Sequence, residues 1–96
     1  MESVAAIKLT PLRATLLRLV AYSKISRHYG GDAVPYYSQE GEGLLTGTQN
    51  LNALAWLVEN DFVRCVGERG GLGFREGLLR PTSLGEAWLD AHRRDR

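Results

Sequence analysis

The segment "CVGERGGLGFREGLL", Cys65 to Leu79, sets the tightest limit on what this chain can fold into. Glycines at 67, 70, 71, 73 and 77 open the backbone to positive φ. So many of them exclude a helix, because each costs about 1 kcal/mol in a helix interior. On either side stand "FVRCV" and "GLLRP", short runs of the residue types that fit a pleated, half-buried surface. The expected product is an antiparallel β-hairpin over residues 62–82 with a glycine-rich tip. Arg69 and Arg75 flank that tip, and Arg64 and Arg80 sit on its strands, where Glu68 or Glu76 would pair with them.

Helical periodicity appears on both sides of the hairpin. "TPLRATLLRLVAYSKISRHY" offers Thr10 as N-cap and Pro11 at the first helical position, where its missing N–H costs nothing. Leu12, Leu16, Leu19, Val20 and Ser23 share a stripe, "YGGD" supplies a stop, and the spacing predicts a helix over 10–29. "TQNLNALAWLVEND" predicts a second helix over 48–60, capped by Thr48, with Leu51, Leu54, Ala55 and Val58 inward. Gln49, Asn52, Ala53 and Trp56 then point away from that stripe. "PTSLGEAWLDAHRR" predicts a last helix over 83–94, with Ser83 and Glu86 as a capping box, Leu84, Trp88 and Ala91 inward and Leu89 outward.

Two segments lack a period. "GGDAVPYYSQEGEGLLTG" reads either as a structured loop or as a short helical turn begun by Pro35 and running through Gln39. The N-terminal extension 1–9, "MESVAAIKL", is apolar enough to add a strand or helix to a partner copy.

Ninety-six residues with 44% hydrophobic content fit one small α+β domain. The net charge is only +1, weak for a protein that lives on phosphate, yet the arginines crowd the second half, from Arg64 to Arg80 and again at Arg93, Arg94 and Arg96. A single cysteine, Cys65, makes no internal disulfide and fits a cytoplasmic setting, and its default role is inert packing. His28 and His92 show no metal-ligand spacing and no readable nucleophile or carboxylate beside them, so no metal, cofactor or enzyme activity is expected. No apolar run approaches a membrane span, and the start lacks a secretory layout. "GEGLLTG" and "GLGFREG" space glycines as G-x-G-x-x-x-G, but neither sits in the strand-to-helix context of a dinucleotide site.

The order helix, irregular connection, helix, strand, Gly/Arg-rich tip, strand, helix resembles a winged helix-turn-helix domain of the MarR-type and PadR-type regulators. In those families a phrase like L-x-x-x-G-hydrophobic-V-x-R follows the recognition helix, and L-T-x-x-G-x-x-x-L follows the wing. Here the positions read "LVENDFVRC" and "LRPTSLGEAWL", with Asn60-Asp61 where the family commonly has a glycine turn. The resemblance implies a helical core, a two-stranded β-hairpin wing and a C-terminal helix, with a second motif helix between Asp32 and Leu45. It also implies a transcriptional regulator that binds double-stranded DNA as a homodimer. Gln49, Asn50 and Asn52 would lie in or near the major groove, Thr46 and Thr48 on phosphate, and Arg69 and Arg75 in the wing. Residues 48–60 carry no lysine or arginine. The near-neutral charge favours an alternative, in which the same fold serves as a protein-protein interaction or dimerisation module with little affinity for DNA.

Overall fold

A computed structural model describes residues 6–30, 35–71 and 74–92. Helix α1 (Pro11–Tyr22) starts as the sequence indicates: the Thr10 hydroxyl accepts a hydrogen bond from the Arg13 N–H at 3.2 Å, and Pro11 opens the first turn. It ends seven residues before the expected boundary at 29. Ser23 turns extended (φ −130°, ψ 165°), and strand β1 (Ile25–Gly30) follows. The physical reason is tertiary: β-branched Ile25 leaves the helical stripe, and β2 and β5 offer the segment partners on both edges.

The unperiodic connection also proves to be β-structure. β2 (Tyr36–Gln39) and β3 (Gly43–Leu45) form a hairpin turned by Gly41 and Gly43, both at positive φ. The short helical turn from Pro35 does not form, and among the described residues between Asp32 and Leu45 there is no helix; residues 31–34 lie outside the description. Tyr36 and Tyr37 are good strand formers whose side chains fall on opposite faces: Tyr37 is buried and Tyr36 is half exposed.

Helix α2 (Thr48–Glu59) precedes the long hairpin of β4 (Val63–Gly71) and β5 (Phe74–Pro81), and α3 (Ser83–His92) closes the fold. The expected hairpin therefore exists, with its tip at residues 72–73 outside the description, but it is not a free two-stranded wing. It is one edge of a five-stranded antiparallel sheet in the order β3-β2-β1-β5-β4, because β1 pairs with β5 as well as β2.

Alternation assigns the faces. Ile25, Tyr37, Val63 and Leu79 are buried on the inner face, together with Leu16, Leu17 and Val20 of α1, Leu54 and Leu57 of α2, and Trp88 and Leu89 of α3. The three helices thus form one layer and the sheet the other. The outer face, with Ser26, His28, Tyr36, Ser38, Leu44, Val66 and Leu78, contributes no buried residue among those whose burial is described.

Two helices are rotated from expectation. In α2 the buried side runs through Ala53, Leu54 and Leu57, about a quarter turn from the Leu51–Val58 stripe. Ala53, expected outward, is 6% exposed, and Ala55 and Val58 are only half-buried. Leu57 outweighs the smaller Ala55 in choosing the face. In α3 Leu89 is buried at 8% exposure, whereas Ala91 is exposed, so Leu89 is not available to a partner. The larger leucine again takes the inside position. The caps move too: Gly47, not Thr48, precedes α2, and Thr82, not Ser83, caps α3 by accepting from the Gly85 N–H at 3.1 Å. Residues 93 and 94 of the expected last helix lie outside the description.

Of the N-terminal extension, the described residues 6–9 pack within their own chain. Ile7 and Leu9 lie against the core, and the Trp88 indole N–H donates to the Ile7 carbonyl at 2.8 Å. Met1 to Ala5 lie outside the description. At the α2–β4 corner Asp61 takes φ 68°, a left-handed conformation uncommon for a residue with a Cβ.

Candidate nucleic-acid interface

The start of α2 is built by the chain that leads into it. Gly47 takes φ 96°, ψ 126°, accessible without a Cβ, and its carbonyl accepts the first helical bond from the Leu51 N–H at 3.1 Å. No side chain caps the first amides. Asn50 donates from its amide nitrogen to the Thr46 carbonyl at 2.8 Å, so it fastens the entry to the helix and is half-buried. Thr46, Thr48, Gln49 and Asn52 are exposed.

The register fixes where this helix start lies. Leu45 pairs with Tyr37, Tyr37 with Arg27, and Arg27 with Gly77, which makes one row across four strands. Neighbouring strands lie about 4.8 Å apart, so three steps separate the end of β3 from β5 by about 14 Å. The next row holds Tyr29 opposite Arg75. The exposed beginning of α2 and the distal half of the long hairpin therefore share one end of the molecule.

A bulge decides which charges face which way. Val66 is opposite Leu78 and Arg69 is opposite Glu76, so β4 has one residue more than β5 in this interval, and Gly67 takes φ 64°. A regular ladder continued from Val66 would turn Glu68 outward and Arg69 inward. With the bulge, Glu68 lies on the inner face, where its Oε2 is 3.4 Å from Arg27 Nη2. Gly77 is the space these side chains use: an added Cβ would meet Cys65 Sγ at 2.5 Å and Glu68 Cγ at 2.8 Å.

Arg69 and Arg75, expected to act together, are thus on opposite faces. Arg69 is opposite Glu76 on the outer face, and Arg75 lies 5.3 Å from the Tyr29 ring centroid on the inner one. Arg64 and Arg80 do not pair with Glu68 or Glu76. They are opposite one another in the ladder, while Glu68 pairs with Arg27 and Glu76 with His28.

A cation beside the amides of α2 comes from α1. The Arg13 guanidinium stacks 4.0 Å above the Trp56 ring, in a groove that Gln49, Asn52 and Glu59 also line. Trp56, on the face away from the apolar stripe but expected to cover a neighbour, is half-buried there and stacks on Phe62. Sequence spacing has no means of showing this pairing, because the two residues belong to helices that meet only in the fold.

The strand surface also gathers polar groups around His28. Ser38 Oγ is 2.9 Å from its Nε2, Glu76 Oε1 is 3.4 Å from its Nδ1, and Tyr36 stacks on the ring. A hydroxyl and a carboxylate are therefore present, contrary to the expectation from sequence. Acyl transfer additionally needs amide donors aimed at an oxyanion, and the backbone around Ser38 is committed to ladders on both sides. The trio clamps β2, β1 and β5 together. His92 packs on Trp88 and donates from Nδ1 to the Trp88 carbonyl at 2.8 Å.

Burial raises the pKa of Cys65, against the pull of Arg27, and does the same for Tyr37. A thiol held protonated is a poor nucleophile. Among the described residues no group of three or more His, Cys, Asp or Glu could hold a metal ion, and no helix is long and apolar enough to cross a membrane. The glycines of "GEGLLTG" shape the β2–β3 turn and the entry to α2 within an antiparallel sheet, not a parallel β-α-β unit. No family profile matches the chain, and comparisons with curated proteins and with solved structures return no match.

Proposed function

We propose that this protein is a DNA-binding transcriptional regulator, a winged helix-turn-helix variant in which the β2–β3 hairpin stands where the resembling families have their second helix. The carrying observation is the shared end of the molecule: the exposed, polar start of α2 and the arginine-bearing half of the β4–β5 hairpin lie about one groove width apart. Gln49 and Asn52 offer amides able to bond adenine N6 and N7, and Thr46 and Thr48 offer hydroxyls to a phosphate next to uncapped helix amides. Asn50 holds the entry turn in this reading, and no catalytic step is assigned. The regulator acts in the cytoplasm as a homodimer on a two-fold site.

The second reading, an interaction or dimerisation module of the same fold, draws on the net charge of +1 and on the uncovered outer face, where Leu44 is 63% and Tyr36 49% exposed. One experiment separates them. Random duplexes are selected on the immobilised protein, and the enriched sequence is titrated by fluorescence anisotropy against scrambled DNA. On the DNA reading, Gln49→Ala or Asn52→Ala lowers discrimination by about 1–3 kcal/mol per lost base contact. Passage of all duplexes at low salt, with self-association retained, would establish the interaction module instead.

A further inference from the structure

We propose that the inner-face strip Arg27–Tyr29–Arg75 is the surface through which the sheet grips the DNA phosphate backbone, and that Glu68 is the internal counter-anion that sets its strength. This rests on the DNA reading above and adds to it, because it moves the contact from the hairpin tip to a two-strand platform and leaves Arg69 out.

Two guanidinium groups from different strands converge on one ring. Arg27 on β1 lies 5.0 Å and Arg75 on β5 lies 5.3 Å from the Tyr29 centroid. Stacking holds a guanidinium by its flat face and leaves its N–H edge for an anion. The two arginines differ in how far the chain itself satisfies them. Arg27 Nε is buried with no hydrogen-bond partner, its Nη2 is 3.4 Å from Glu68 Oε2, and the guanidinium also meets the Tyr37 hydroxyl and the Cys65 thiol. Arg75 is exposed and makes no ion pair among the described residues. The group open to an incoming anion is therefore Arg75, with Arg27 behind it adding positive charge.

Charge and distance select the occupant. Two guanidiniums against one carboxylate leave one net positive charge, suited to a phosphodiester oxygen. Arg27 is in the row that ends at Leu45, two strand spacings or about 10 Å from the chain leading into α2. The major groove is about 12 Å wide, so with the start of α2 in the groove the strip meets the backbone that borders it. Glu68 lies against the same arginine. Its carboxylate holds the guanidinium in place and opposes an incoming phosphate, and the bulge at Gly67 is what puts it there.

The test is a salt titration of the full chain on a fluorescein-labelled duplex of mixed sequence, followed by anisotropy from 50 to 200 mM NaCl. Thermal unfolding by circular dichroism confirms that each variant is folded. Arg75→Gln is expected to weaken binding and flatten the slope of log K against log salt by about 0.9, one phosphate contact. Glu68→Gln is expected to tighten binding, and its opposite sign separates loss of a counter-anion from loss of structure. Arg69→Gln, on the other face, leaves affinity and slope unchanged. If the wild-type chain binds and Arg75→Gln and Glu68→Gln both match it, or if Arg69→Gln matches the loss in Arg75→Gln, the strip is wrong while the DNA reading stands. A wild-type chain that fails to bind any duplex at 50 mM salt overturns both.

Discussion

Replacing Gly85 by alanine puts the packing of α3 to a direct test. Gly85 lies in the first turn of α3, where exchange of glycine for alanine ordinarily favours a helix by about 1 kcal/mol. Here the added Cβ would run into the Phe62 carbonyl oxygen, come within 3.2 Å of its carbon and touch Leu17 Cδ1 at 3.4 Å. A backbone carbonyl cannot swing aside as a side chain can, so the helix must retreat by about 1 Å or more to reach ordinary contact distance. Retreat strains the 3.0 Å bond from the Thr82 N–H to the same carbonyl and loosens the seats of Trp88 and Leu89. Overpacking costs about 1–3 kcal/mol, and a site closed by backbone on one side and Leu17 on the other lies at the top of that range. Setting this against the propensity gain leaves a destabilisation of about 2 kcal/mol, or about 8–16 °C in Tm for a domain of this length. Urea unfolding followed by the fluorescence of Trp56 and Trp88 measures it, with an unchanged m-value as the sign that only stability moved. A variant as stable as the wild type, or more so, would refute the close approach of α3 to Phe62.

Two further outcomes follow from local geometry. Gly67→Ala meets no atom within 4 Å, so its cost is conformational alone, about 1–2 kcal/mol for a left-handed φ of 64°, and Gly67→Asn should recover part of it in the same urea assay. Cys65 and Tyr37 have pKa values raised by burial above their unfolded values of 9.0 and 10.0, so the folded state holds their protons more tightly. Their contribution to stability is complete below about pH 9 and is lost as pH rises through the raised values. Urea midpoints from pH 7 to 11 should fall on the alkaline side, and Cys65 should react with iodoacetamide more slowly than a free thiol at pH 8.5. Faster alkylation, or a midpoint that climbs with pH, would contradict the burial assigned to these groups.

The helices and the long hairpin were legible because each carries a local signal: Thr10 before Pro11, the apolar repeat of α2, and glycines bounded by apolar runs. The β-strands at Ile25–Gly30 and Tyr36–Leu45 were not. β1 continues from a helix with polar residues that obscure its alternation, and it becomes a strand because β5 and β2 offer it partners on both edges. The rotation of α2 and α3 was missed for a related reason. When three leucines and small residues compete, the available space inside decides which face turns in, as Ala53 and Leu89 illustrate. In the candidate interface the exposure of Thr46, Thr48, Gln49 and Asn52 agrees with the periodicity, but Arg27 and Tyr29 were unreadable because they lay in what looked like a helix. The separation of Arg69 from Arg75 follows from the register at the distal end, where Arg69 is opposite Glu76, and alternation counted from Val66 would place Arg69 on the wrong side because of the extra residue in β4.

Among the described residues the sheet ends in two edge strands, β3 and β4, and each is unsuited to recruiting another strand. β3 is only three residues long, too short to template a new neighbour. β4 is long, but its free margin is interrupted at Gly67 and studded with Arg64, Glu68 and Arg69, so a second chain finds neither a continuous row of amides nor a neutral path. Copies of this protein are thereby discouraged from stacking margin to margin into fibres, and association is directed to side-chain surfaces.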